Sequence, residues 1–204
     1  TRTGRRPVIG WIGSAATNRY VGALAAALDA AARRAGAEIW ICSDTPTGTG
    51  LERLRAPSRF LRWSVETERE FLENVDVGVM PLDDTVWERA KCGLKLLLYM
   101  ANGTAAVASP VGVNREIISD GVNGFLAATA EEWERRLAAL CGDPGLRARL
   151  GAAGRATVAE RYDLRSVFPL FLRAIEGSDE NVFRHKFDGD FHDRDYYEGR
   201  ENRA

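Results

Sequence analysis

The chain has 204 residues, 45% of them apolar and 28% charged, and a net charge of −1. That is one globular domain, or a domain with an extension, holding enough apolar material for a core. The near-neutral balance excludes a chain built electrostatically for nucleic acid or an anionic membrane, and no apolar run reaches the ~20 residues that span a bilayer.

Residues 1–6 form a short basic extension with no signal-type apolar stretch behind it. The chain starts at Thr1 rather than Met, and a fragment or a processed chain is expected. Residues 7–13 are a mostly apolar run closed by glycine, which suits a strand buried on both faces of a parallel sheet. A polar turn leads into a long helix over 19–35, with Val21, Leu24, Ala25, Leu28 and Ala32 on one face and Gly36 as its stop. Residues 37–42 give the second strand of a β-α-β unit. An irregular Thr/Gly/Pro-rich loop over 45–57 follows, with a turn of helix near Leu51. A strand at 59–63, a helix at 66–74 and a buried strand at 76–80 come next. A helix over 92–102 and a strand over 104–108 follow, then a helical turn at 116–118 and a short strand at 125–126. Helices over 131–140, 144–160 and 165–175 close the domain. The alternation predicts an α/β fold, a doubly wound parallel sheet of about six strands. The domain is expected to occupy 7–176. Residues 177–204, rich in charges and aromatics without periodicity, read as a charged tail, disordered or pinned to something else.

Cys42, Cys92 and Cys141 are far apart and form no CxxC pair, so neither a zinc site nor a redox dithiol is expected. Cys42 and Cys141 read as buried free thiols, and Cys92 as a packing residue. A reducing, cytoplasmic setting follows, soluble or peripheral at the membrane. Of the tryptophans, Trp11, Trp40 and Trp133 are expected in the core.

In such sheets ligands bind outside the carboxyl ends of the strands, so residues 13–19, 81–94 and 109–116 are expected to converge there. Gly13-Ser14 could bring amides close to an anion, with Arg19 adding a charge-assisted bond; a plain turn with Thr17 or Asn18 as N-cap fits equally well. There is no GxGxxG. Arg89 and Lys91 lie on a loop running into a helix near Gly93, and Lys95 lies four residues beyond Lys91. Positive charge at a helix entrance suits a diphosphate, whereas a lone lysine pair is by default a solvated face. Trp87 would contact a ligand there or anchor the loop. Asp83-Asp84 reads as turn or loop solvation. Asp188-Gly189-Asp190, with His185 and His192 nearby, has the look of a metal motif but lies in the patternless tail; no metal and no cofactor are expected.

The stretches 91–103 (KCGLKLLLYMANG), 107–118 (VASPVGVNREII) and 120–126 (DGVNGFL) resemble the group 1 glycosyltransferases, retaining family 4-like enzymes of the GT-B fold. The likeness extends over roughly 8–175. It implies two Rossmann-like halves, of which this chain is similar to the C-terminal, donor-binding one. It implies as partners a UDP- or GDP-linked sugar and an acceptor domain in cis or trans. By this resemblance Gly13 and Ser14 lie beside the donor phosphates, with Arg19 as a weaker phosphate base. Lys91, Gly93, Leu94 and Lys95 belong to the loop facing the sugar diphosphate, and Trp63 and Ser64 meet the nucleotide base. The two glutamates that the family often carries, with seven residues between them, fall on Ala90 and Leu98 here, and Ala105 replaces a proline. Glu88 is the nearest substitute, so Lys91 and Glu88 are the expected catalytic residues. The alternative is a catalytically degenerate nucleotide-binding or scaffolding module. An unrelated phosphate-binding α/β protein is disfavoured by the length of the match.

Overall fold

The structure, a computed structural model, describes residues 5–175. The expected tail at 177–204, with its Asp188-Gly189-Asp190 motif and both histidines, lies outside the described residues, as does most of the extension at 1–6. The chain divides into two units, 1–160 and 161–204.

The first unit alternates strands and helices. They are β1 (Val8–Ile12), α1 (Asn18–Ala35), β2 (Glu38–Ser43), β3 (Ser58–Arg62), α2 (Val65–Asn74), β4 (Val77–Met80), α3 (Val86–Arg89), α4 (Leu94–Ala101), β5 (Ala105–Ala108), α5 (Asn114–Ile117), β6 (Phe125–Leu126), α6 (Ala130–Gly142) and α7 (Pro144–Arg161). All strands pair in parallel in the order β3-β2-β1-β4-β5-β6, the doubly wound, Rossmann-like arrangement. The fully buried runs of β1, β4 and β5 reflect helices on both faces.

The two faces are filled differently. Ile9, Trp11, Val77, Val79 and Val107 meet Val21, Leu28, Trp133 and Leu137 of α1 and α6. On the other face, Gly10 and Gly78 leave room for the rings of Phe71 and Tyr99, which lie 6.5 Å apart. Trp11, Trp40 and Trp133 are buried, as are Cys42 and Cys141. Burial pushes the Cys42 thiol up to about 11 and the Cys141 thiol to about 12. Cys92, expected to pack, is instead exposed, because α4 starts at Leu94 and leaves residue 92 on the loop.

In the second unit, α8 (Leu164–Ile175) begins where Asp163 accepts the Arg165 amide at 2.9 Å. Leu164, Phe168, Phe171 and Ile175 form an exposed stripe at helical spacing. Among the described residues no helix is long and apolar enough to cross a membrane.

Candidate functional site

The strand order reverses between β1 and β4, so the chain leaves these two strands in opposite directions and a crevice opens beyond their carboxyl ends. These strands pair only at Ile9–Val77 and Gly10–Gly78. Past that point Tyr99 bridges them, its hydroxyl accepting the Ile12 amide at 3.2 Å and donating to the Val79 carbonyl at 3.4 Å. Burial pushes its phenol up, so this bridge stays neutral. Above it lies a cleft of about 680 Å³, within the usual range for a small-molecule site.

One wall comes from the loop between β4 and α4. Gly93 caps α4 with φ +73°, where a Cβ would also stand 2.5 Å from Ile117. The next amides, at Leu94 and Lys95, precede Leu96, whose amide already bonds the Gly93 carbonyl, and so are free of helical partners. Lys91 lies over the Tyr20 ring at 4.6 Å and donates to its hydroxyl at 3.2 Å. Lys95 lies over the Trp11 ring at 5.6 Å. Both line the cleft, and neither forms a salt bridge among the described residues. Burial, then the charge of Lys91, lowers the Lys95 ammonium. Two cations outside any salt bridge, beside open amides, make an anion-attracting wall. Cys92, Ala90 and Leu98 complete it.

The opposite wall comes from the ends of β1, β2 and β3: Gly13, Ser14, Thr17, Asp44, Trp63 and Glu68. Trp63 is 47% exposed and donates its indole N–H to Glu68 at 2.8 Å. Sequence reasoning missed Asp44 and Glu68. Their one signal is position: Asp44 directly follows a buried strand, where side chains reach the ligand edge.

Several expected site residues lie elsewhere. Ser64 caps α2 in a reciprocal box with Thr67, taking the Thr67 amide at 3.2 Å. Arg19 extends to Glu88 at 3.0 Å and to the Tyr20 hydroxyl at 2.9 Å, outside the cleft lining. Glu88 itself is buried. Thr85 and Tyr20 donate to its carboxylate, and these bonds hold it well down, at about 2, with Lys91 contributing through its charge. Arg89 pairs with Asp84 at 2.7 Å. Residues 109–116, expected at the ligand, are absent from the cleft lining and pack on the loop: Gly112, at φ +51°, would place a Cβ only 2.5 Å from the Arg89 carbonyl oxygen. Among the described residues no three His, Cys, Asp or Glu side chains gather in a metal-binding group.

The arrangement matches known proteins. A family sequence model described as glycosyl transferases group 1 matches residues 6–143. No curated protein sequence matches. Among solved structures, the C-terminal domain of the Francisella tularensis group 1 glycosyl transferase LpcC is 20% identical. It superposes with a TM-score of 0.66 over 78% of this chain and 87% of its own. Anabaena HepE, crystallised with UDP and glucose, is 16% identical with a TM-score of 0.68, over 83% of this chain and 48% of its own. TarM of S. aureus, in a complex that includes UDP, is 15% identical with a TM-score of 0.66, over 82% of this chain and 35% of its own. The chain thus spans about a third to a half of the HepE and TarM chains. With the family match covering more than half of its length and the fold agreeing, the chain belongs to the group 1 glycosyl transferases.

Proposed function

We propose that this chain is the donor-binding half of a glycosyltransferase, holding a nucleoside diphosphate sugar in the cleft between the two walls. The observation that carries this reading is the pair of lysines without salt bridges beside the first amides of α4, at the β1–β4 switch point. Lys91, Lys95 and the amides near Gly93 and Leu94 would take the diphosphate. Gly13 and Ser14 would lie along it, and the exposed Trp63 ring would meet the base. As the bond to the sugar breaks, negative charge grows on the leaving diphosphate, and fixed cations and amides stabilise it there. Arg19, Glu88 and Ser64 act behind this surface: Glu88 fixes Tyr20, and Tyr20 positions Lys91. Transfer requires an acceptor domain, in cis or trans, closing over the cleft. UDP is the favoured nucleotide, because HepE and TarM were crystallised with it; GDP is its competitor.

One observation favours a second reading, a nucleotide-binding module without transfer. Ala90 and Leu98 both line the cleft, where the family likeness implies carboxylates. Calorimetric titration with UDP, GDP and their sugar conjugates tests the binding claim. Lys91→Ala should weaken UDP binding roughly 10- to 100-fold with unchanged thermal unfolding. An unchanged affinity removes Lys91 from the site. Binding without transfer, once an acceptor half is supplied, selects the second reading.

A further inference from the structure

We infer that Asp44 is the ribose-recognition residue of this chain, and that it selects ribonucleoside over deoxyribonucleoside diphosphates; this rests on the donor-binding reading above. The resemblance implies a carboxylate at position 98 for the ribose hydroxyls, but Leu98 has no acceptor to offer. The cleft lining contains two carboxylates, Asp44 and Glu68. Glu68 takes the Trp63 indole N–H at 2.8 Å through Oε2, which ties it to the aromatic end of the cleft. Asp44 takes the Ala15 amide at 3.0 Å through Oδ2, which leaves Oδ1 for a ligand hydroxyl.

The position of Asp44 along the sheet edge supports the same role. From β3 to β4 the cleft presents Trp63, then Asp44 after β2, then Gly13 and Ser14 after β1, then Lys91 and Lys95 beyond β4. Three inter-strand steps span about 14 Å. The order aromatic, carboxylate, glycine turn, paired ammonium follows the covalent order base, ribose, diphosphate. A carboxylate at the ligand edge, beyond a buried parallel strand, is a general way to accept ribose hydroxyls. Asp44 is also held in place before any ligand arrives. Cys42 accepts the Gly13 amide at 3.0 Å, and Ser43 accepts the Trp63 amide at 2.9 Å. Asn18 donates to the carbonyls of Thr45 and Thr47 at 2.8 and 2.9 Å while accepting the Ser43 hydroxyl at 2.8 Å. The main chain around Asp44 is therefore fixed from β1, β3 and α1 together.

The experiment is calorimetry on the full chain with UDP, GDP, their 2′,3′-dideoxy analogues and inorganic pyrophosphate, for wild type, Asp44→Ala, Asp44→Asn and Glu68→Gln. Wild type should prefer the ribonucleotide by roughly 10- to 100-fold, the effect of a hydrogen bond to a charged acceptor. Asp44→Ala should bring that preference close to unity while pyrophosphate binding is kept. Asp44→Asn, which retains an oxygen for Ala15, should lower the preference several-fold, and Glu68→Gln should preserve it. A preference unchanged in both Asp44 variants overturns the ribose assignment and leaves the donor reading standing. Wild type that binds neither nucleotide nor pyrophosphate overturns both.

Discussion

The two ends of the sheet each carry a hollow with basic residues, and they differ in how those charges are met. At the amino ends of the strands, a cavity of about 260 Å³ is lined by Arg5, Asp76 and Arg147 among others. There Arg5 pairs with Asp76 at 3.0 Å, Asp76 also accepts the Val8 amide at 2.8 Å, and Arg147 is bound to the carbonyls of Leu140 and Cys141 at 2.6 and 2.9 Å. At the carboxyl ends, Lys91 and Lys95 form no salt bridge among the described residues; they lie over aromatic rings, Lys91 donates to a phenol, and Glu88 reaches Lys91 only through its charge. Volume alone does not mark a site. Charges already matched within the chain serve the fold, whereas charges left unmatched at the edge of a cleft call for a ligand of opposite sign.

The sharpest way to break this contrast is to remove both lysines. Lys91→Ala with Lys95→Ala should lower UDP affinity roughly a hundred-fold or more, with the unfolding midpoint nearly unchanged. A destabilised chain with intact binding would reverse the assignment. Glu88 sharpens the comparison, because it lies behind the lysine wall, outside the cleft lining, and is matched internally. Its carboxyl is held at about 2 against an ordinary 4.5, so it stabilises the fold above the ordinary value and that contribution is lost as pH falls from about 4.5 toward 2. Urea unfolding should show the stability advantage over Glu88→Gln shrinking by about 2 kcal/mol between roughly pH 5.5 and 3. A constant difference would show that the charge does not matter. The smallest effect is expected at the far end. Asp76→Ala should cost about 1–2 kcal/mol of stability, and UDP titration of the variant should match wild type.

The fold was legible because its signals are long. The eighteen-residue α1 ending at Gly36 has a clear helical period, and its alternation with the short, wholly apolar runs of β1, β4 and β5 points to a parallel sheet. The lysine wall was legible too, since a basic loop entering a helix is a local pattern. The opposite wall was not. Asp44 and Glu68 reach the cleft through the order of β1, β2 and β3 in the sheet, and no spacing in the chain encodes that. Glu88 was misdirected by its nearness to Lys91. It sits in the four-residue α3, too short to show a period, and its side chain turns toward Tyr20 rather than the cleft. Residues 109–116 follow a strand as expected, yet none of them is in the cleft lining, and Gly112 packs on the loop at Arg89.

The contact between Gly112 and Arg89 has a mechanical consequence. With no side chain at residue 112, one main chain rests directly on another, and nothing between them can act as a bearing. The loop bearing Lys91 is thereby packed, at Arg89, against the turn that follows β5. On the proposed reading, a donor entering the cleft would therefore meet a lysine wall backed by main chain rather than by side chains that can give way.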